Sequence, residues 1–207
     1  MRRIYYILFL SWLSVVSSFA QEPALFRKAD EKAMDHWVDS VLNSMSDDEK
    51  IGQLFMVVAD VKTTNQNVQK LIRYVNEVKI GGVLFHKGNP SDQAYLTNKM
   101  QSLAKVPLFV ALDGEWGLSM RLSGTTRFPK NMMLGAIEDN LLIRKYGEEV
   151  ARQCKEMGIH INFAPDLDVN SNEENPVIGI RSFGENIRMV ADKGLAYSAG
   201  LEDGGVL

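Results

Sequence analysis

Asp113, Glu115 and Arg121 lie close together, directly behind an unbroken apolar run at 107–112. Carboxylates accept hydrogen bonds from hydroxyl groups, and a guanidinium donates several in a fixed plane, so this set suits a polyhydroxylated ligand such as a sugar. Two carboxylates so near each other also suit a general acid/base pair, but glycoside hydrolysis depends on their separation in space, which sequence spacing does not fix. A helix cap or an acidic surface loop is a third reading, and the residues alone leave all three open. Trp116 offers an aromatic face for stacking on a sugar or for packing. Further along, Arg181 stands in NPVIGIRSFGEN, where Pro176, Gly179 and Gly184 imply a shaped backbone. It could serve a ligand, or pair with Glu185 or another acid.

The elements that must position these groups alternate in kind. Apolar runs at 54–59, 82–85, 107–112 and 159–164 read as strands buried on both faces, the mark of a parallel sheet. Helical spacing fits 26–45, the segment around Val68, Leu71, Ile72 and Val75, then 91–105, 141–157 and 187–202. Ser46 with Glu49 makes a capping box, Gly158 is a natural helix stop, and 205–207 reads as the onset of a fifth strand. The order is therefore a series of βα units. Each strand is followed by polar groups: Asp60, then His86 and Lys87, then Asp113 and Glu115, then Asp166 and Asp168. In such sheets ligands meet the carboxyl ends of the strands. Two long connections, 114–139 and 165–186, carry no clear element, and loops of that length are usually functional.

Other motifs are excluded by their own chemistry. The segment starting at Asp166 has Ser171 where a calcium loop needs glycine and Val177 where it needs glutamate. His36, His86 and His160 lack metal-ligand spacing, and His160 at a strand start is most simply structural. Gly81-Gly82 is not followed by a phosphate-loop pattern. Cys154, the single cysteine, shares a helical face with Val150 and Met157 and reads as a packing residue.

Arg2 and Arg3, the apolar run 4–13 and Ser18-Phe19-Ala20 together read as a secretory signal at 1–20, too short in its apolar part to span a bilayer. The expected product is exported, periplasmic or secreted, without stable membrane insertion once the signal is removed. Cleavage after Ala20 leaves 187 of the 207 residues, enough for one domain. Losing Arg2 and Arg3 takes the formal charge from −3 to −5, which with no basic cluster argues against a nucleic-acid partner.

Taken together, ALDGEWGLSMRL, FPKNMMLGA, INFAPDLDVNSN and NPVIGIRSFGEN resemble the amino-terminal half of the catalytic domain of glycoside hydrolase family 3, from about Asp47 onward. The Asp-x-Glu-x-Gly-x-x-x-Arg pattern at 113–121 and the NPVIG-x-RSFG pattern are similar to its β-N-acetylhexosaminidase branch. The resemblance implies a (β/α)8 TIM-type barrel, of which about four βα units fall in 21–207. It also implies a retaining glycosidase acting on terminal β-linked N-acetylglucosamine, with no metal or organic cofactor. By the same analogy Asp113, Arg121 and Arg181 bind the substrate sugar. The family's acid/base histidine and aspartate nucleophile follow later than this sequence reaches, so the resemblance implies a fragment that is inactive alone. A β-glucosidase of the same family and a noncatalytic sugar-binding remnant are the alternatives.

Overall fold

The computed structural model describes residues 30–207; the expected signal at 1–20 and the first residues of the expected helix 26–45 lie outside this range. Four parallel strands lie in sequential order: β1 (Met56–Ala59), β2 (Gly82–Phe85), β3 (Phe109–Leu112) and β4 (Ile161–Asn162). Between and around them run α1 (Glu31–Asn43), α2 (Asp47–Gly52), α3 (Asn65–Arg73), α4 (Pro90–Gln101), α5 (Asn131–Gly135), α6 (Asn140–Glu156) and α7 (Ile187–Asp203). This is the βα succession of a TIM-type barrel, carried through four strands.

Local chemistry sets the helix starts. Side chains of Asp30, Thr64, Asn89, Asp139 and Asn186 each accept a hydrogen bond from a first-turn backbone N–H, relieving donors that a helix cannot satisfy internally. Ser46 and Glu49 form the anticipated capping box. The helix after β1 runs on through a wider π-type turn, Tyr74–Val78, which ends at Lys79 in the left-handed region (φ 61°).

Strand pairing decides which side of the sheet is covered. Val57, Val83 and Val110 are aligned across β1–β3, as are Ala59, Phe85 and Leu112. These six share one face and pack beneath Leu71 and Val75, Leu96 and Met100, and Ile143 and Val150 of the helical layer. The opposite face carries Val58, Leu84 and Ala111, with Phe109 and Phe163. Val58, Phe109 and Phe163 are 60%, 53% and 54% exposed, so this face of the sheet is apolar and open at these positions.

Helices α6 and α7 cross at close range because both present glycine at the contact. A β-carbon on Gly147 would strike the carbonyl oxygen of Tyr197, and one on Gly200 that of Arg144. Cys154 lies buried on α6, where burial pushes its thiol up to about 12, as suits a packing residue. The fifth-strand expectation is met by one residue: Leu207 donates to the His160 carbonyl (2.9 Å) and accepts from the Asn162 N–H (2.8 Å), the bonding of a parallel ladder beside β4. The strand at 159–164 is shorter than expected, since only Ile161 and Asn162 keep ladder pairing with β3.

The two long connections are not structureless. The first contains a 3₁₀ turn, Leu118–Met120, and then α5; the second contains a 3₁₀ turn, Gly179–Arg181. Each turn is too short to leave a periodic signature, and each ends at or beside a site arginine.

Candidate functional site

The polar groups after the strands gather at one end of the sheet, with β3 at the centre. Asp113 directly follows Leu112, the last residue of β3. The Leu118–Met120 turn folds the chain back so that Arg121 reaches Asp113 twice: Nε donates to its backbone oxygen at 3.1 Å, and Nη2 pairs with its carboxylate. Arg121 Nη1 lies 3.1 Å from His86 Nε2, at the end of β2. A guanidinium carries donors only, so in this contact His86 Nε2 is placed as the acceptor. The backbone there is tied as well, because Gly88 donates to the Arg121 carbonyl (3.0 Å) and Ser123 to that of Gly88 (2.9 Å).

Glu115 turns the other way and is met by Arg181 across 66 residues of sequence. Arg181 Nε lies 3.1 and 3.0 Å from the two Glu115 oxygens, and Nη2 lies 2.6 Å from Oε1. The same Nη2 lies 3.0 Å from Asp166 Oδ2. Of the two readings of Arg181, the pairing with an acid is realised, and the acids are Glu115 and Asp166, which follow β3 and β4, rather than Glu185. The Glu115 and Asp166 side chains are only 3% and 4% exposed, whereas that of Arg181 is 32% exposed. The guanidinium therefore covers two buried carboxylates, while its Nη1 donates to the Val177 carbonyl at 3.3 Å. Hydrogen bonds from Arg181 to Glu115 raise the arginine above its ordinary range, and the charges of Asp166 and Asp113 add to the effect. Burial raises Asp166 above the usual carboxylate value, with Arg181 pulling the other way.

Asp113 and Arg121 are in contact, and Arg181 lies near enough to Asp113 to feel its charge. The oxygens of both Asp113 and Glu115 are engaged by guanidinium groups, which does not fit an acid/base pair working between themselves. Trp116 is half-buried, with the Lys130 ammonium 4.7 Å from its ring centre, so one ring face already has a cation on it.

Several contributing residues carried no specific signal in the sequence. His86 and Asp166 were distinguished only by following strands. Asn131, fully buried on α5, donates to the Arg181 carbonyl at 2.7 Å. Gly135 lets α5 press against the Phe183 carbonyl, holding that helix to the arginine turn. Lys193 is buried under the connection before α6, where its ammonium bonds Asn140 Oδ1 (2.6 Å) and the Ile137 carbonyl. A lone lysine on a helix gives no hint of such a partner.

The model of the glycosyl hydrolase family 3 N terminal domain matches residues 46–207. The chain belongs to glycosyl hydrolase family 3. The chain is 36% identical over 151 residues to beta-hexosaminidase A of Pseudoalteromonas piscicida, covering 67% of this chain and 25% of that protein. It is 29% identical over 170 residues to a beta-N-acetylglucosaminidase/beta-glucosidase of Cellulomonas fimi, covering 82% of this chain and 29% of that one. Among solved structures, a family 3 beta-N-acetylglucosaminidase from Paenibacillus sp. str. FPU-7 superposes with a TM-score of 0.70 at 32% identity, over 79% of this chain and 32% of its own. This family 3 chain thus spans about a quarter to a third of the length of these three relatives. Its four strands correspond to the beginning of the family's barrel.

Proposed function

We propose that this chain supplies the sugar-holding part of a retaining β-N-acetylhexosaminidase that removes terminal β-linked N-acetylglucosamine. Asp113, Arg121 and Arg181 hold the sugar's hydroxyl groups. The observation that carries this reading is the paired arrangement around Gly114, with one carboxylate on each side and a guanidinium fixing each. Such pairs keep spare acceptor and donor positions at fixed angles, which suits a ring of hydroxyl groups.

A retaining glycosidase needs a carboxylate that attacks the anomeric carbon and an acid that protonates the leaving oxygen, after which water releases the covalently held sugar. Asp113, Glu115 and Asp166 are each paired with an arginine, which supports a reading in which these two reactive groups come from outside the four βα units. The open apolar face of the sheet supports this: Val58, Phe109 and Phe163 have the character of barrel interior awaiting further strands. Taken alone, residues 21–207 do not hydrolyse glycosides. The acetamido preference is supported by the names of the Pseudoalteromonas and Paenibacillus relatives, while the double name of the Cellulomonas relative favours a β-glucosidase as second reading. The amino-terminal pattern supports export to the periplasm or beyond; no helix among the described residues is long and apolar enough to cross a membrane.

Two chromogenic substrates, the nitrophenyl β-glycosides of N-acetylglucosamine and of glucose, test this reading with residues 21–207 alone and with a longer protein in which these residues are followed by the remaining part of the Paenibacillus family 3 beta-N-acetylglucosaminidase. Turnover by the longer protein alone, faster on the acetamido substrate, is expected. Preference for the glucoside would move the assignment to β-glucosidase. Hydrolysis by residues 21–207 would refute the division of labour, and sugar binding without turnover in any longer protein would leave a noncatalytic module.

A further inference from the structure

We propose that Asn162 is a positioning residue for both site carboxylates: its side-chain amide clamps the backbone at Gly114 and so sets the angle at which Asp113 and Glu115 diverge. This rests on the sugar-holding role given above to Asp113 and Arg181. It adds the device that keeps their half-sites in register.

The geometry is specific. Asn162 Oδ1 accepts from the Gly114 N–H at 2.9 Å, and Nδ2 donates to the Gly114 carbonyl at 3.4 Å. That N–H belongs to the peptide joining Asp113 to Gly114, and that carbonyl to the peptide joining Gly114 to Glu115. Peptide units are planar, so the only soft rotations between these two peptides are φ and ψ of Gly114; ψ of Asp113 and φ of Glu115 then orient each side chain on its own peptide. One planar amide that bonds both peptides restrains both rotations.

Asn162 is itself held on three sides. It is the last residue of β4, in register with Leu112 of β3, and its backbone N–H is tied to Leu207 (2.8 Å). Its Nδ2 also meets the hydroxyl of Tyr197 on α7 at 3.4 Å. Tyr146 of α6, packed against Tyr197, donates from its hydroxyl to the Glu115 carbonyl at 3.4 Å. The close-packed pair α6 and α7 thereby reaches the site backbone through polar contacts. Glycine at 114 makes room for the clamp, since a β-carbon there would lie 3.2 Å from Asn162 Oδ1 and 3.2 Å from the Gly117 carbonyl. A leucine at 162 would fill nearly the same volume but leave the Gly114 N–H unpaired in a buried place, while the Gly114 carbonyl keeps its bond from the Gly117 N–H at 3.0 Å.

The test uses the longer protein of the activity assay, labelled with ¹⁵N-glycine, as the parent and as Asn162→Leu, Asn162→Asp and Val150→Ala, the last a packing control on α6. The readouts are amide exchange at Gly114, kcat/KM on the aryl N-acetylglucosaminide, and the thermal midpoint. Asn162→Leu is expected to speed exchange at Gly114 and lower kcat/KM, each by about tenfold or more. Asn162→Asp keeps the acceptor for the Gly114 N–H and is expected to bring both back toward the parent. Unchanged exchange in the leucine variant overturns the proposal, as does unchanged kcat/KM. A loss of kcat/KM matched by Val150→Ala at equal loss of thermal midpoint would show packing alone and overturn it too. If the leucine variant does not fold, the aspartate variant decides: slow Gly114 exchange is expected, and fast exchange refutes the clamp. If the parent turns over neither glycoside, the functional reading falls, and Gly114 exchange alone shows whether Asn162 holds that backbone.

Discussion

Arg181 is the residue on which most of the site's buried charge depends. It faces Glu115 and Asp166, both almost without solvent, so removing it strands two carboxylates at once. Breaking a buried ion pair by deleting one partner costs about 3–5 kcal/mol, and the partial exposure of Arg181 points to the lower end of that range. Arg181→Ala, followed by urea unfolding of the longer protein, is therefore expected to lose about 3 kcal/mol. Adding Glu115→Ala should cost less than the sum of the two single changes, because one stranded charge is gone. Strictly additive losses would mean the pair is not coupled. Asp166 allows a second check through pH. Burial holds its folded-state value above 3.8, so the folded protein binds this proton more tightly than the unfolded chain does. Its contribution to stability accordingly falls as pH rises from about 3.9 through the higher folded value. The stability of Asp166→Asn relative to the parent should rise with pH over that interval, and parallel pH profiles would refute this. Asp113, Arg121 and Arg181 could be picked out in the sequence because strand-end placement and motif coincide there. Glu115's partner could not, since nothing local links it to an arginine 66 residues away.

At the scale of elements, periodicity and capping were readable and register was not. The strands at Gly82–Phe85 and Phe109–Leu112 stand out as apolar runs, and Ser46 and Glu49 mark a helix start by chemistry confined to one turn. The short turns that deliver Arg121 and Arg181 leave no repeat to detect. Nor does spacing reveal that Gly147 and Gly200 face each other, because their meeting is a property of how α6 and α7 cross. This contact can be tested by sign. In an open helix, glycine to alanine gains about 1 kcal/mol. At Gly200 the new methyl group would enter the Arg144 carbonyl, and overpacking of this kind typically costs about 1–3 kcal/mol. Gly200→Ala is expected to lower the urea midpoint, and a raised midpoint would show that the crossing is looser than described.

For the whole molecule, a helix-covered sheet whose other face is apolar and exposed at Val58, Phe109 and Phe163 is what supports the proposal of a sugar-holding part whose reactive groups lie elsewhere. The barrel interior offered by Val58, Phe109 and Phe163 calls for further strands, and those strands would bring their own carboxyl ends to the site. The four βα units were legible in the sequence, while the open face emerged only from strand pairing. In the proposed function Asp113 holds the sugar while groups outside these units do the chemistry. This is tested most directly by kcat/KM on the aryl N-acetylglucosaminide for Asp113→Ala in the longer protein. Loss of a charged hydrogen bond to a hydroxyl predicts a fall of at least about tenfold with the fold retained, whereas an undiminished kcat/KM would contradict the account.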